Sequence, residues 1–156
     1  CEGTPSVEGP NAGNSGGTAI ATKIHVGMTT PRMPVGADSV NDNPYEIVPG
    51  HMSAAVINGW VRDRVLVVCV YMDVNDKFRI KNRAILLALG MLIAANGLPY
   101  VIMGDWSTTP QELADTGWLE TIDGTLLHPA IRHAALAWPK LAESLIMRSF
   151  PTGSLL

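Results

Sequence analysis

The sequence predicts an α+β fold in which mostly antiparallel strands form a layered sandwich flanked by helices. Two apolar segments, Met52–Ile57 and Val65–Met72, are separated by turn-forming residues and are typical of paired strands. The second segment is apolar on both faces, which indicates a strand that is covered on both sides. After it, Phe78–Asn96 repeats apolar residues at helical spacing and predicts a long helix packed on the sheet.

Composition limits the classes of protein to which the chain can belong. A length of 156 residues is that of one domain, and a net charge of −3 means that any nucleic-acid surface must be local. Cys1 and Cys69 form neither a disulfide framework nor a zinc pattern, and we expect Cys69 to be a buried structural thiol. The longest largely apolar run, Ala84–Ala95, is shorter than the roughly 20 residues that span a bilayer, so no membrane association is predicted.

The N-terminal part of the sequence is rich in turn-forming residues. Residues 1–15 are expected to be a flexible segment without the features of a signal peptide, which favours an intracellular protein. Because the chain begins with Cys rather than Met, we expect a fragment or a processed product. Thr18–Ile24 alternates as a strand does, and Val26–Pro49 is predicted to be a long loop. Oligomeric state is not indicated by any pattern in the sequence.

Turn and cap signals set the limits of the central elements. We place the tip of the hairpin near Arg62-Asp63, and we expect Asp73–Asp76 to cap the long helix. Asn96-Gly97 ends that helix. The segment Pro99–Pro110 then gives a short buried strand that ends at Gly104.

The residues after this strand predict further helices. Thr109 is a candidate N-cap, and Pro110 is suited to the first helical position. Ala130–Ala137 and Lys140–Met147 are predicted to be helical, so residues 16–128 form the main domain and residues 129–156 a helical C-terminal segment.

One motif carries a resemblance to a known family. Gly104-Asp105-Trp106-Ser107-Thr108-Thr109-Pro110 resembles the Gly-Asp-Phe-Asn-x-x-Pro signature of the endonuclease/exonuclease/phosphatase superfamily, with Ser107 in place of the Asn. The resemblance extends over roughly residues 16–119 and implies a partial deoxyribonuclease I-like α/β sandwich, with retrotransposon endonucleases as the first subgroup for comparison.

The resemblance implies a site for magnesium-dependent cleavage of phosphodiester bonds. Asp105 would position Mg²⁺ or the attacking water, Tyr71 would contact the phosphate, and Ser107 would partly replace the family's Asn. The family's N-terminal metal-binding Glu and its C-terminal Ser-Asp-His motif have no counterpart in this sequence. We therefore expect impaired activity or none.

Each of these residues also has a purely structural interpretation. Asp105 is a common turn or helix cap, and Tyr71 is a common strand-end aromatic. Lys77, Arg79 and Lys81 form a basic cluster that is either a solvated helix face or a contact for a phosphate or nucleic acid. The four histidines show no ligand spacing and are not assigned a role; they are His25, His51, His128 and His133.

Three functions remain open at this point. The first is a magnesium-dependent hydrolase of nucleic acid, with Asp105 as the metal ligand. The second is a non-catalytic interaction or scaffold module that retains the fold. The third is a phosphatase that acts on small phosphate esters, because one fold can host several substrate classes.

Overall fold

The computed structural model describes residues 2–3, 7–8, 14–15, 17–34, 46–60, 63–127 and 143–147. The strands are β1 (Glu2–Gly3), β2 (Val7–Glu8), β3 (Asn14–Ser15), β4 (Ala19–Ile20), β5 (Met28–Thr29), β6 (Glu46–Val48), β7 (Met52–Trp60), β8 (Asp63–Tyr71), β9 (Tyr100–Asp105), β10 (Thr125–Leu127) and β11 (Glu143–Met147). The helices are α1 (Ile80–Asn96), α2 (Pro110–Asp115) and α3 (Trp118–Thr121).

A central sheet of seven described strands organises the molecule. Its strand order is β10-β11-β9-β8-β7-β5, and β6 also pairs with β7. Every pair in this sheet is antiparallel except β8 with β9, which run parallel. The mostly antiparallel α+β architecture predicted from the sequence is therefore confirmed.

The predicted hairpin of β7 and β8 is present, and it lies at the middle of the sheet. Its register pairs Met52 with Val70 and Trp60 with Asp63, with an irregularity between Ile57 and Trp60. The first strand thus extends past Ile57 to Trp60, and the predicted tip at Arg62 lies outside the described residues.

Helix α1 connects β8 to β9 and covers one face of the sheet. Ile85, Leu89 and Leu92 are buried against a face that includes Leu66, Val68 and Ile102. The side chains alternate along β8 and β9, so residues 66, 68, 70, 100 and 102 share this core face. A strand–helix–strand crossover is the usual way to join two parallel neighbours.

The two ends of α1 follow different rules. The helix begins at Ile80, two residues later than predicted, and the Asp76 carboxylate accepts a 2.8 Å hydrogen bond from the Asn82 N–H in its first turn. The expected acidic cap is therefore Asp76, which acts from outside the helix. At the other end, Gly97 has a φ of 58° and its N–H donates to the Ile93 carbonyl, as the predicted stop requires.

The second face of the sheet has a smaller core. Buried Ile20, Ala55 and Val67 lie on it, together with other apolar residues of β7, β8 and the segment around β5. Cys69 also lies on this face and is half-buried, less than the sequence predicts. Burial raises the pKa of its thiol, so the group stays neutral in ordinary conditions.

Two further predictions for the N-terminal half change in detail. Of the strand predicted over Thr18–Ile24, only Ala19–Ile20 is a strand, where it pairs with β1. The predicted loop Val26–Pro49 contains β5 and β6, which both pair with β7. The edge of the hairpin therefore imposes strand structure on segments whose own sequence favours turns.

The helix predicted over Lys140–Met147 is wrong at Glu143–Met147. These residues form β11, which lies between β9 and β10 and is antiparallel to both. A short apolar run has no decisive period, so pairing with the open edge of β9 decides its structure. The helix predicted over Ala130–Ala137 lies outside the described residues.

Helix α2 begins as the sequence predicts. The Thr109 hydroxyl accepts a hydrogen bond from the Glu112 N–H, the Glu112 carboxylate accepts one from the Thr109 N–H, and Pro110 occupies the first turn.

In the described part of the chain, none of the helices has the length and apolar character needed to cross a bilayer.

Candidate functional site

The candidate site lies where β8 and β9 end. The parallel register pairs Tyr71 with Asp105, so these two residues end neighbouring strands at the same edge. Paired residues of parallel strands point to the same side of a sheet, here the side opposite α1. Two residues that the family resemblance assigned to one site are therefore neighbours in the structure. In open parallel α/β sheets, ligands bind at the carboxyl ends of the strands, and β8 with β9 is the parallel pair of this sheet.

Asp105 is half-buried and held by the turn that follows it. Its Oδ1 atom accepts a 2.9 Å hydrogen bond from the Ser107 N–H, the geometry of an Asx turn. The Ser107 hydroxyl lies 3.3 Å from the same oxygen. The structural interpretation of Asp105 is thus observed: it closes a turn, and that turn fixes its orientation at the sheet edge.

Ser107 also ties the ends of the two parallel strands together. Its hydroxyl donates a 2.8 Å hydrogen bond to the Met72 carbonyl, directly after β8. Its φ of 49° lies in the left-handed region, where Asn is more readily accommodated than most residues. The backbone at this position therefore suits the family's Asn, whereas the serine hydroxyl is used mainly for a structural bond.

The two residues on either side of Asp105 in the signature have structural roles. Trp106 is 1% exposed and belongs to the main core, so it anchors the turn from below. At Gly104, a Cβ atom would lie 1.8 Å from the Val70 carbonyl oxygen. The close approach of β8 and β9 just before the site therefore requires glycine.

His51 is a site residue that the sequence analysis did not identify. Its ring stacks on that of Tyr71, with 5.9 Å between ring centroids and 18° between planes. Its Nδ1 atom lies 2.9 Å from the Tyr71 carbonyl oxygen. The available signal was the hairpin register, because pairing Met52 with Val70 places His51 opposite Tyr71.

The basic cluster lies around the loop between β8 and α1. The Lys81 Nζ atom is 3.3 Å from Asp73 Oδ2, and the Lys77 Nζ atom is 4.0 Å from Glu112 Oε1. Arg79 is exposed and its backbone N–H donates to the Asp76 carbonyl. Two of the three predicted cations therefore face carboxylates of this chain, which reduces the positive potential that they offer to a ligand.

The two carboxylates that face these lysines are stabilised as anions. The pKa of Asp73 is lowered mainly because the Asn75 N–H donates to it, with Lys81 and His51 acting in the same direction. The pKa of Glu112 is lowered to about 2, first by the Thr109 N–H and then by neighbouring hydroxyls. Both groups are therefore charged at neutral pH.

Asn82 is a second residue that the sequence analysis missed. It is buried, its Oδ1 accepts from the Asp73 N–H at 2.9 Å, and its Nδ2 donates to the carbonyls of Asp73 and Lys77. It thereby fixes the loop that follows Tyr71. A polar residue on the apolar side of the predicted helix was the only signal of this role.

Asp105 and Glu143 occupy paired positions on neighbouring strands, since the register of β9 and β11 places them opposite each other. In the ranges that the structure describes, no group of three or more His, Cys, Asp or Glu side chains is arranged to hold a metal ion. Magnesium, however, often binds through one or two carboxylates with water and substrate phosphate.

Comparison with known proteins supports the fold. No family model matches the sequence, and no curated protein matches it. Among solved structures, the chain is similar to the "Endonuclease domain of TRAS1, a telomere-specific non-LTR retrotransposon", with a TM-score of 0.56 at 8% sequence identity. The match covers 94% of this chain and 66% of that domain, so this chain spans about two thirds of its length. The similarity shows a partial deoxyribonuclease I-like α+β fold.

Proposed function

We propose that this domain is a magnesium-dependent phosphodiester hydrolase that acts on nucleic acid, with activity weaker than that of a complete site. The observation that carries the proposal is the pairing of Tyr71 with Asp105 at the ends of parallel β8 and β9. The nuclease fold of the similar domain supports the same substrate class.

Asp105 is the residue that would hold magnesium. Its Oδ1 atom is oriented by Ser107, and a carboxylate oxygen is the ligand type that Mg²⁺ prefers. When bound, the metal would neutralise charge on the phosphate and lower the pKa of a bound water. The donor set is small, but it fits an ion that keeps several waters.

The remaining residues of the site bind and orient the substrate. The Tyr71 hydroxyl donates a hydrogen bond to a phosphate oxygen, and its ring is held by the stack with His51. Lys77, Arg79 and Lys81 attract the nucleic-acid backbone. Because Lys77 and Lys81 already face Glu112 and Asp73, this attraction is modest.

The predicted weakness has a structural reason at Ser107. A serine hydroxyl has one proton, and here it is donated to the Met72 carbonyl, so it does not reach toward a phosphate as an amide does. Ser107→Asn keeps the Asx turn and suits the φ of 49°. We expect this variant to cleave several-fold faster than the wild type.

A second candidate is the non-catalytic interaction module. The specific observation in its favour is that the described residues hold no group of three potential metal ligands. On this alternative, Asp105 and Ser107 serve only to join the ends of β8 and β9, and the surface binds its partner without chemistry.

Nicking of supercoiled plasmid distinguishes the two functions. Wild type, Asp105→Asn and Asp115→Asn are compared with Mg²⁺ and with EDTA; Asp115 is an exposed carboxylate on α2. The hydrolase predicts magnesium-dependent nicking that falls by about 100-fold in Asp105→Asn and is unchanged in Asp115→Asn. Equal background nicking in all three proteins, with DNA binding retained, would support the interaction module instead.

A further inference from the structure

We infer that His51 is the general base of this hydrolysis, and that its Nε2 atom accepts a proton from the water that attacks phosphorus. The inference rests on the proposed function and assigns the base for which the sequence offers no C-terminal motif. His128 and His133 lie outside the described residues.

The hydrogen bond of Nδ1 fixes the state of the ring. The partner at 2.9 Å is the Tyr71 carbonyl oxygen, which only accepts, so Nδ1 carries the proton and donates it. In the neutral ring, Nε2 then has a free lone pair, which is the state that a general base needs.

Nε2 is also open to solvent. His51 is half-buried, and no group in residues 17–34, 46–60 and 63–127 hydrogen-bonds Nε2. No buried polar side-chain atom in the described part of the chain lacks a partner, so Nε2 is not a buried unpaired nitrogen. A water molecule can therefore reach it.

The position of the ring fits an attack on a phosphate held at Asp105. The Tyr71 N–H donates to the His51 carbonyl at 2.7 Å, and Tyr71 pairs with Asp105 in the parallel ladder. His51, directly before β7, thus lies beside Tyr71 of β8, which lies beside Asp105 of β9. At the usual strand spacing the backbones of His51 and Asp105 are about 10 Å apart. Tyr71 lies between them, where its hydroxyl contacts the phosphate, and the gap admits the phosphate and its attacking water.

The proton balance is complete without another reagent. Nε2 takes one proton from water as the oxygen bonds to phosphorus, and the bond from phosphorus to the leaving oxygen breaks. The leaving oxygen takes a proton from solvent, and the imidazolium returns its proton to solvent. Asp73 interacts electrostatically with His51, and its carboxylate also lies 3.3 Å from the Lys81 Nζ atom.

A measurement on the protein without metal or substrate tests the state of the ring. Nitrogen-15 NMR of the imidazoles distinguishes the two neutral tautomers, and the missing signal in His51→Gln assigns the resonance. We expect neutral His51 to carry its proton on Nδ1. A neutral ring protonated on Nε2 would leave no lone pair toward solvent and would overturn the inference.

Kinetics test the role itself, with His25→Gln as the matched control because His25 is also described and is exposed. In His51→Gln the amide can still donate to the Tyr71 carbonyl but cannot act as a base. We expect magnesium-dependent nicking to fall by about 100-fold and to be unchanged in His25→Gln. In His51→Ala, added imidazole is expected to restore part of the rate.

The pH dependence of the rate tests whether His51 acts as a base, because a purely structural role would not change it. The wild-type rate is expected to fall about tenfold per pH unit on the acid side of its profile, because protonation of Nε2 removes the base. Tyr71 and Asp73 are the titratable groups that the described structure brings to His51. This acid limb should be absent from the residual rate of His51→Gln.

Two failures are distinguishable. Nicking that does not depend on Asp105 overturns the proposed function, and this inference with it. Nicking that depends on Asp105 but keeps its rate and pH profile in His51→Gln overturns the inference alone.

Discussion

Replacing Gly104 by alanine is expected to lower the free energy of unfolding by about 3 kcal/mol or more. The new Cβ would lie 1.8 Å from the Val70 carbonyl oxygen, 2.7 Å from its carbon and 2.8 Å from its nitrogen. All three atoms are backbone, so no flexible side chain can move aside. The φ of 151° adds strain for any residue with a Cβ. The two parallel strands would have to separate by roughly 1 Å, which weakens the ladder beside Asp105.

Gly90→Ala is the matched control, since it makes the same chemical change in α1. The nearest atom to its added Cβ is Trp118 Nε1 at 4.0 Å, an ordinary contact. Alanine is favoured over glycine inside a helix, so this variant is expected to gain about 0.5–1 kcal/mol. The two substitutions thus have opposite predicted signs.

Urea unfolding followed by far-UV circular dichroism measures both variants. The expected difference in unfolding free energy between them is about 3.5 kcal/mol or more. If Gly104→Ala shows no cooperative unfolding transition while Gly90→Ala does, that result also agrees with the prediction. A Gly104→Ala protein within about 0.5 kcal/mol of the wild type would refute the close approach of β8 and β9.

Three further variants test individual contacts. The low pKa of Glu112 stabilises the folded protein above about pH 4.5, and this contribution is lost as the pH falls through about 2. Glu112→Gln should therefore flatten the acid side of the curve of Tm against pH. Asn82→Ala should cost about 2–3 kcal/mol in urea unfolding, because it leaves the part-buried N–H and carbonyl groups of Asp73 without their partners; an unchanged midpoint contradicts this. Tyr100→Phe should cost about 1–2 kcal/mol by removing the buried 2.7 Å bond to the Ile122 carbonyl, and a stabilised variant would argue against that bond.

Local signals in the sequence were sufficient for the elements whose ends are chemically marked. Gly97 ends α1 in the left-handed conformation, and Thr109 with Pro110 begins α2, as their residue types predict. Glu143–Met147 carries no such mark. It is a strand only because β9 and β10 offer it partners, and pairing between distant segments cannot be derived from the pattern of one segment.

The sequence predicted only part of the candidate site, again because contacts between distant segments decide the rest. Asp105 and Tyr71 were identified by resemblance, and the parallel register then paired them. His51 was passed over because no ligand spacing surrounds it in the sequence, yet its contact with Tyr71 follows from the hairpin register. The hydrogen bond from the Ser107 hydroxyl to the Met72 carbonyl could be found only from the structure, because the two residues lie on opposite sides of α1 in the chain.

The α1 crossover also determines the order in which the site can assemble during folding. His51 and Tyr71 belong to one hairpin, whose contacts are local and can form early. Asp105 reaches Tyr71 only after the whole connection through α1 has closed, which costs more chain entropy. We therefore expect His51 to stack on Tyr71 before Asp105 reaches Tyr71 during refolding. Partial detachment of α1 should separate these groups while the hairpin persists.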